Sequence, residues 1–301
     1  MSCGARNFSD DSSMKPKFIF FGSPLFARVV LEELVDAGFL PSALVCNPDR
    51  PFGRKKVLAP PDTKAFISKK FPEVPILQPE DPNDTNFIER LKSIHVDIFV
   101  VAAYAKILKP ELLSVPASGV IGVHPSFLPL LRGSSPIQGA ILQGFTDTGV
   151  TLYLIDELMD HGPVIAKSAP IEVVNKDFPH LLLELAHIGG KLTANTLLDF
   201  AANRTTLLPQ DHNKATFTKK FKTEDGFIPR AEIIAACETG TQAEYIARKI
   251  LALSSEPGCY TTSADNRRIK LLGAQCSNGR LVVTSWLADG MHKPSTQHLE
   301  L

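Results

Sequence analysis

KFIFFGSPLFARVVLEELVDAG, residues 17 to 38, decides how this chain folds. An apolar run closes on Gly22, and from Pro24 apolar residues recur at helical spacing until Gly38 stops them. Strand, tight turn and helix in that order open a nucleotide-fold-like α/β unit. SALVCN (42–47) supplies a second strand, ILQP (76–79) a marginal third and NDTNFIERLKSI (83–94) a helix. VDIFVVAAY (96–104), the most apolar strand, is followed by GVIGVH (119–124). Alternation of this kind predicts a doubly wound, mostly parallel, Rossmann-like sheet covered by helices on both faces.

Further on, SPIQGAILQG (135–144) reads as a helix, TGVTLYLI (148–155) and GPVIAKSAPIEV (162–173) as strands, and residues 177–202 as a long amphipathic helix. Residues 204–222, RTTLLPQDHNKATFTKKFK, are polar, Lys-rich and aperiodic, the mark of a linker. Beyond it stand one helix, QAEYIARKILAL (242–253), and strand candidates RIKLLGA (268–274) and RLVVTSWL (280–287). The resulting division is a disordered leader (1–15, with Met14 an alternative start), a catalytic α/β domain (16–203), a basic linker (204–222) and a small, mainly β, OB-like C-terminal domain (223–301).

The chain has 301 residues, 44% hydrophobic and 21% charged, the profile of a globular protein with room for two cores. Its formal net charge is zero, so a nucleic acid would have to be held by a local basic patch. Five widely spaced cysteines include no C-x-x-C pair that could clamp zinc, which points to a reducing, cytoplasmic setting and no metal. No apolar run reaches the length of a membrane span, and the leader lacks a signal-peptide core.

In an open parallel sheet, ligands bind at the carboxyl ends of the strands. Gly22, Tyr104 and His124 end three of them. A histidine there can be a core residue bonded to a backbone carbonyl, or a proton-transfer group. The following Pro-Ser-Phe-Leu-Pro makes a stiff loop that costs little to order around a ligand. Asp160, in LMDHGPVIA, is what a turn requires for its own hydrogen bonds, or the carboxylate that orients His124 from a neighbouring loop. His161 should point away from it and is read as structural.

HPSFLPLLRGSSPIQGAI, TDTGVTLYLIDELMDHGPVIA, FFGSPLFA, NPDRPFGRKKVLAPPDTK and DHNKATFTKKFKTEDGFI together resemble the methionyl-tRNA formyltransferase family, in register from about residue 17 to residue 230. The His-Pro-Ser and Asp-x-Gly motifs are shared with formyltransferases acting on glycinamide ribonucleotide or amino sugars. The RPFGR-KK loop and the DHNKATFTKK segment are similar to the tRNA-directed branch. The resemblance implies transfer of a formyl group from 10-formyltetrahydrofolate, as co-substrate, to the amino group of initiator methionyl-tRNA by a monomer. It assigns His124 and Asp160 to catalysis, Ser126, Phe127, Leu128, Pro129 and Tyr104 to the folate site, and Arg50, Arg54, Lys55, Lys56, Lys214, Lys219, Lys220 and Lys222 to tRNA.

Such a reaction requires the amine to lose a proton, the folate nitrogen to gain one and the intermediate oxyanion to be met by hydrogen-bond donors. The family's third catalytic member is an Asn two residues before the histidine, and here that position is Gly122. Two lesser departures are Leu25 in place of an acidic residue and Ala105 in place of a glycine. Gly122 implies impaired activity, with water in the space it leaves and a gain of about tenfold or more on Gly122→Asn. Rival readings are an amino-sugar N-formyltransferase, which has no use for the Lys-rich linker, and a non-catalytic folate- or tRNA-binding relic.

Overall fold

Alternate side chains of the first strand, β1 (Phe18–Phe21), enter two different cores. Phe18 and Phe20 pack on one face of the sheet and Ile19 and Phe21 on the other, all four buried, so neither face of this strand is available to water. The structure, a computed structural model, describes residues 15–52, 57–297 and 299.

The main sheet adds β2 (Ala43–Val45), β3 (Ile76–Leu77), β4 (Ile98–Ala102), β5 (Gly119–His124), β6 (Thr151–Leu154) and β7 (Val164–Lys167), in the spatial order β7-β6-β5-β4-β1-β2-β3. The pairs β1–β2, β2–β3, β1–β4 and β4–β5 are parallel, while β6 runs antiparallel to both β5 and β7. From β1 the chain fills one side of the sheet through β2 and β3, then returns to lay β4 and β5 on the other. The carboxyl ends of β1 and β4 therefore flank the topological switch point, where such sheets bind ligands.

Helix α1 (Leu25–Asp36) follows β1 and lies against the long helix Phe178–Ala201 on the face of Phe18 and Phe20. Gly190 of that long helix allows the approach: a Cβ there would stand 2.5 Å from Glu33 Cβ and 2.9 Å from Val30 O. The opposite face is closed by Ile88 and Leu91 of the helix Thr85–Lys92 and by Leu112. Burying one such side chain contributes about 1.5–3 kcal/mol, so the sheet itself is the stable scaffold for the loops at its edge.

The stretch 162–173, expected as one strand, is two. Val164–Lys167 belongs to the main sheet and Ile171–Glu172 pairs separately with Asp147–Thr148, because Pro170 lacks the N–H needed to continue the ladder. Three further elements have weak periodicity and were not expected: the helix Asp62–Lys70, the helix Arg230–Glu238 and the antiparallel hairpin Arg50–Phe52/Val57–Ala59.

The C-terminal segment holds a three-stranded antiparallel meander, β8 (Cys259–Thr262), β9 (Arg268–Ser277) and β10 (Arg280–Ala288). The helices Arg230–Glu238 and Ala243–Leu253 contribute Ile233, Ile246 and Ile250 to its core. Among the described residues the antiparallel β-sheet of this segment is the meander, and the two helices cover it. Its core is continuous with that of the sheet, since Ile246 and Ile250 share one buried cluster with Ile137 and Ile141 of the helix Pro136–Gln143. Arg248 Nε also donates to Leu142 O at 3.3 Å. No helix among the described residues is long and apolar enough to cross a membrane.

Candidate active site

His124 is the last residue of β5 and is buried at the carboxyl edge of the sheet. Its Nε2 stands 3.0 Å from Leu131 O, and a carbonyl only accepts, so Nε2 carries the proton and donates. Nδ1 is then the ring's basic nitrogen, and it faces Asp160 Oδ2 at 3.7 Å. One nitrogen thus makes the carbonyl bond of a core residue, and the other confronts a carboxylate.

Asp160 is held with equal definition. Its backbone is left-handed, φ 50°, a conformation Asp tolerates better than most residues. Oδ2 accepts from Gly133 N at 2.6 Å and Oδ1 accepts from Tyr153 Oη at 2.7 Å. Gly133 itself has φ 107°, and a Cβ there would meet Thr218 O at 2.3 Å, so only glycine brings this N–H to the carboxylate. Burial and the charge of Asp160 push the Tyr153 phenol well above its ordinary value of 10, which keeps it a donor.

The carbonyl ends of Asp160 and Gly162 accept from Gln210 Nε2 at 3.0 and 2.7 Å, and Gln210 Oε1 accepts from buried Arg132 at 2.6 Å. Residues of the stretch 204–222 thus brace the site. Thr216 Oγ1 accepts from Leu131 N, Phe217–Thr218 pairs in parallel with Arg132–Gly133, and His212 Nδ1 accepts from Arg132 at 2.9 Å. His161 bonds Asp156 at 2.7 Å and stacks on His212 at 4.1 Å, away from Asp160's carboxylate. Tyr153, Arg132 and Gln210 were absent from the sequence reading. The available signal was a tyrosine inside an otherwise apolar strand, whose hydroxyl must find a partner when buried.

The space beside Gly122 is not open. Gly122 pairs with Tyr153 across β5 and β6, and a Cβ on it would lie 2.3 Å from Tyr153 Cε1, 2.6 Å from Cζ and 3.0 Å from Ile155 Cγ1. The expectation of a water-filled vacancy is overturned because the tyrosine ring occupies that volume. Ala105 has no positive φ; the left-handed residue at the end of β4 is Ala103, φ 47°.

Of the residues expected at a folate site, Ser126 and Leu128 are fully buried and hold the loop's shape. Ser126 Oγ donates to Leu130 O at 2.6 Å, Thr151 Oγ1 donates to Ser126 O at 2.7 Å, and Lys167 Nζ donates to Leu128 O at 2.6 Å. Phe127 covers Gly149, where a Cβ would meet its ring at 2.3 Å, and Pro129 follows the cis bond of the loop. Tyr104 lies edge-on to Phe21 at 5.5 Å. Its hydroxyl and the Asn47 side-chain oxygen are buried without hydrogen-bond partners among the described residues, Tyr104 just beyond β4 and Asn47 just beyond β2, at the carboxyl edge of the sheet. Buried polar atoms of this kind are where a ligand's donors and acceptors find use.

Among the basic candidates, Arg54, Lys55 and Lys56 lie outside the described residues. Arg50 pairs with Glu80 at 3.0 Å, Lys214 with Asp211 at 3.2 Å and Lys219 with Asp225 at 3.0 Å, all on the surface, where such pairs contribute about 0–1 kcal/mol and yield readily to a phosphate. Lys220 and Lys222 are exposed. No cluster of three or more His, Cys, Asp or Glu side chains that could hold a metal occurs among the described residues.

The formyl transferase profile matches residues 14–185, the stretch that builds the sheet and carries His124 and Asp160. The chain belongs to the formyl transferase family. Methionyl-tRNA formyltransferase of Chloroflexus aurantiacus is 40% identical to this formyl transferase over 245 residues, 81% of this chain and 76% of the relative. That of Kosmotoga olearia is 37% identical over 264 residues, 87% and 81%. Among solved structures, the methionyl-tRNA formyltransferase of Clostridium thermocellum superposes with a TM-score of 0.57 at 16% identity, covering 94% of this chain and 99% of that one. WlaRD, a sugar 3N-formyl transferase solved in the presence of dTDP and 5-N-formyl-THF, superposes with a TM-score of 0.61 at 17% identity, covering 88% and 87%. These structures share the fold of this formyl transferase.

Proposed function

We propose that this formyl transferase moves the formyl group of 10-formyltetrahydrofolate to the amino group of methionine on initiator tRNA. The observation that carries the reading is the pair formed by His124 Nδ1 and Asp160 Oδ2, 3.7 Å apart at the carboxyl edge of the sheet. Sequence relatives named methionyl-tRNA formyltransferase support the choice of acceptor. Tyr104 and Asn47, with their unsatisfied polar atoms, and the loop Ser126–Pro129 are the groups that would meet the folate.

In this mechanism the amine attacks the formyl carbon and gives up a proton, which His124 takes on Nδ1. The resulting imidazolium faces the ionised Asp160, whose charge lowers the cost of holding that proton. The leaving folate nitrogen then takes the proton from the same nitrogen, so one group serves as base and acid. Gly122 has no side chain to donate to the oxyanion, a deficiency that typically costs about 10²–10³ in rate, and turnover is expected to be correspondingly low. For tRNA, Arg50, Lys214, Lys219, Lys220 and Lys222 would exchange acidic neighbours or solvent for phosphate oxygens, joined by Arg54, Lys55 and Lys56.

The test is formylation of methionyl-tRNA by 10-formyltetrahydrofolate, run beside binding of each substrate and beside amino-sugar nucleotides as acceptors. Turnover with methionyl-tRNA that is lost on His124→Asn supports the reading. Turnover only with amino sugars, or binding of both substrates without any turnover, refutes it.

A further inference from the structure

Tyr153 faces Gly122 across the antiparallel pair β5–β6, and its ring fills the volume that a side chain at position 122 would need. The ring also stands edge-on to His124, with centroids 6.4 Å apart and planes at 88°. At its far end the phenol reaches Asp160 Oδ1 at 2.7 Å. We propose that Tyr153 is a positioning residue of the active site, holding the Asp160 carboxylate against His124, and that Gly122 is the opening that admits it.

A carboxylate on a left-handed loop residue can rotate about its terminal bond unless both oxygens are claimed. Here each oxygen has one donor: Gly133 N–H holds Oδ2, the oxygen that faces His124, and Tyr153 O–H holds Oδ1. With both bonds made, the carboxylate plane is fixed. The other charged or titratable groups around the pair are Arg132 beside Gly133, His212 bonded to Arg132, and Asp156, which holds His161 on the same loop. None of these side chains bonds the Asp160 carboxylate, so the phenol has no substitute there.

For its kinetic consequence this inference rests on the formyl-transfer reading. A tyrosine that merely packs would be replaced by phenylalanine without effect, whereas a positioning tyrosine would not. In Tyr153→Phe, kcat for formyl transfer should fall about tenfold or more, with KM for both substrates changed by less than about threefold, because the lost bond is to a charged group of the site. The loss should be shared by kcat and kcat/KM, as for an interaction that acts on the chemical step.

A second readout needs no turnover: a crystal structure of Tyr153→Phe should show the Asp160 carboxylate turned away from His124, whereas the parent keeps Oδ2 facing Nδ1 at 3.7 Å. An unchanged carboxylate orientation would overturn the proposal, as would a Tyr153→Phe enzyme with the parent's kcat. Should the parent form no product with any acceptor, the formyl-transfer reading fails, while the carboxylate orientation still decides the role of Tyr153.

Discussion

Gly122→Ala adds one methyl group, and the structure gives its consequence in detail. The new Cβ would lie 2.3 and 2.6 Å from two atoms of the Tyr153 ring and 3.0 Å from Ile155 Cγ1, where ordinary contact begins near 3.4 Å. The ring must therefore withdraw by roughly 1 Å or more, but it is tied at one end to β6 and at the other to Asp160 at 2.7 Å. Overpacking of this kind costs about 1–3 kcal/mol. For a chain of this size the cost appears as a Tm lower by about 2–4 °C per kcal/mol. Tyr153→Leu removes the two closest clashes and leaves only Ile155 Cγ1 at 3.0 Å, so Gly122→Ala made in that background should lose most of its penalty. A thermal-denaturation double-mutant cycle over the four proteins would then show a coupling energy equal to most of the single-mutant penalty. The same packing predicts that Gly122→Asn alone is destabilised and that Tyr153→Leu relieves the clash, while formyl transfer stays low because the Tyr153–Asp160 bond is lost. A Gly122→Ala penalty that is absent, or equal in both backgrounds, would refute the packing argument.

Gln210→Ala should cost about 1–3 kcal/mol and reduce formyl transfer, because it leaves buried Arg132 short of an acceptor and frees the Asp160–Gly162 carbonyls; urea denaturation and kcat measure the two effects. Burial pushes the Cys46 thiol up to about 11 from its ordinary 9, so at pH 8 exposed Cys276 should react with iodoacetamide well before Cys46, as peptide mapping would show. That thiol contributes nothing to pH dependence below about pH 9, and its contribution to stability is lost as pH rises toward about 11. If Lys219 and Lys220 contact tRNA phosphates, replacing each by alanine should weaken binding of all tRNAs alike and flatten the log–log salt dependence by about 0.7–0.9 per contact, read by filter binding across a salt series.

The alternating sheet, the strand ending at His124 and the stiff loop after it were legible because each depends on local pattern. A buried strand must be apolar, a helix must repeat its apolar face, and proline fixes the chain wherever it stands. The strand pair Arg50–Phe52/Val57–Ala59 was not legible because it has no buried apolar alternation, Val57 and Leu58 being exposed, and the helix Arg230–Glu238 because its weak amphipathicity is rescued by tertiary packing of Ile233 and Ala236. The helical cover of the C-terminal meander was only half visible for the same reason.

At the candidate site, the sequence pointed to His124 and Asp160, and the family resemblance marked Gly122 as the anomalous position. It could not say what stands beside that glycine. Tyr153 reaches Gly122 only through the register of β5 against β6, and a slip of one residue would turn the ring to the other face of the sheet. Gln210 reaches Arg132 from 78 residues away because the chain between them returns across the sheet edge. Local periodicity carries no information about which side chains such a return brings together. Composition and pattern determined the scaffold and its reactive edge; cross-strand register and long-range packing decided that a buried phenol fills Gly122's place and holds the carboxylate.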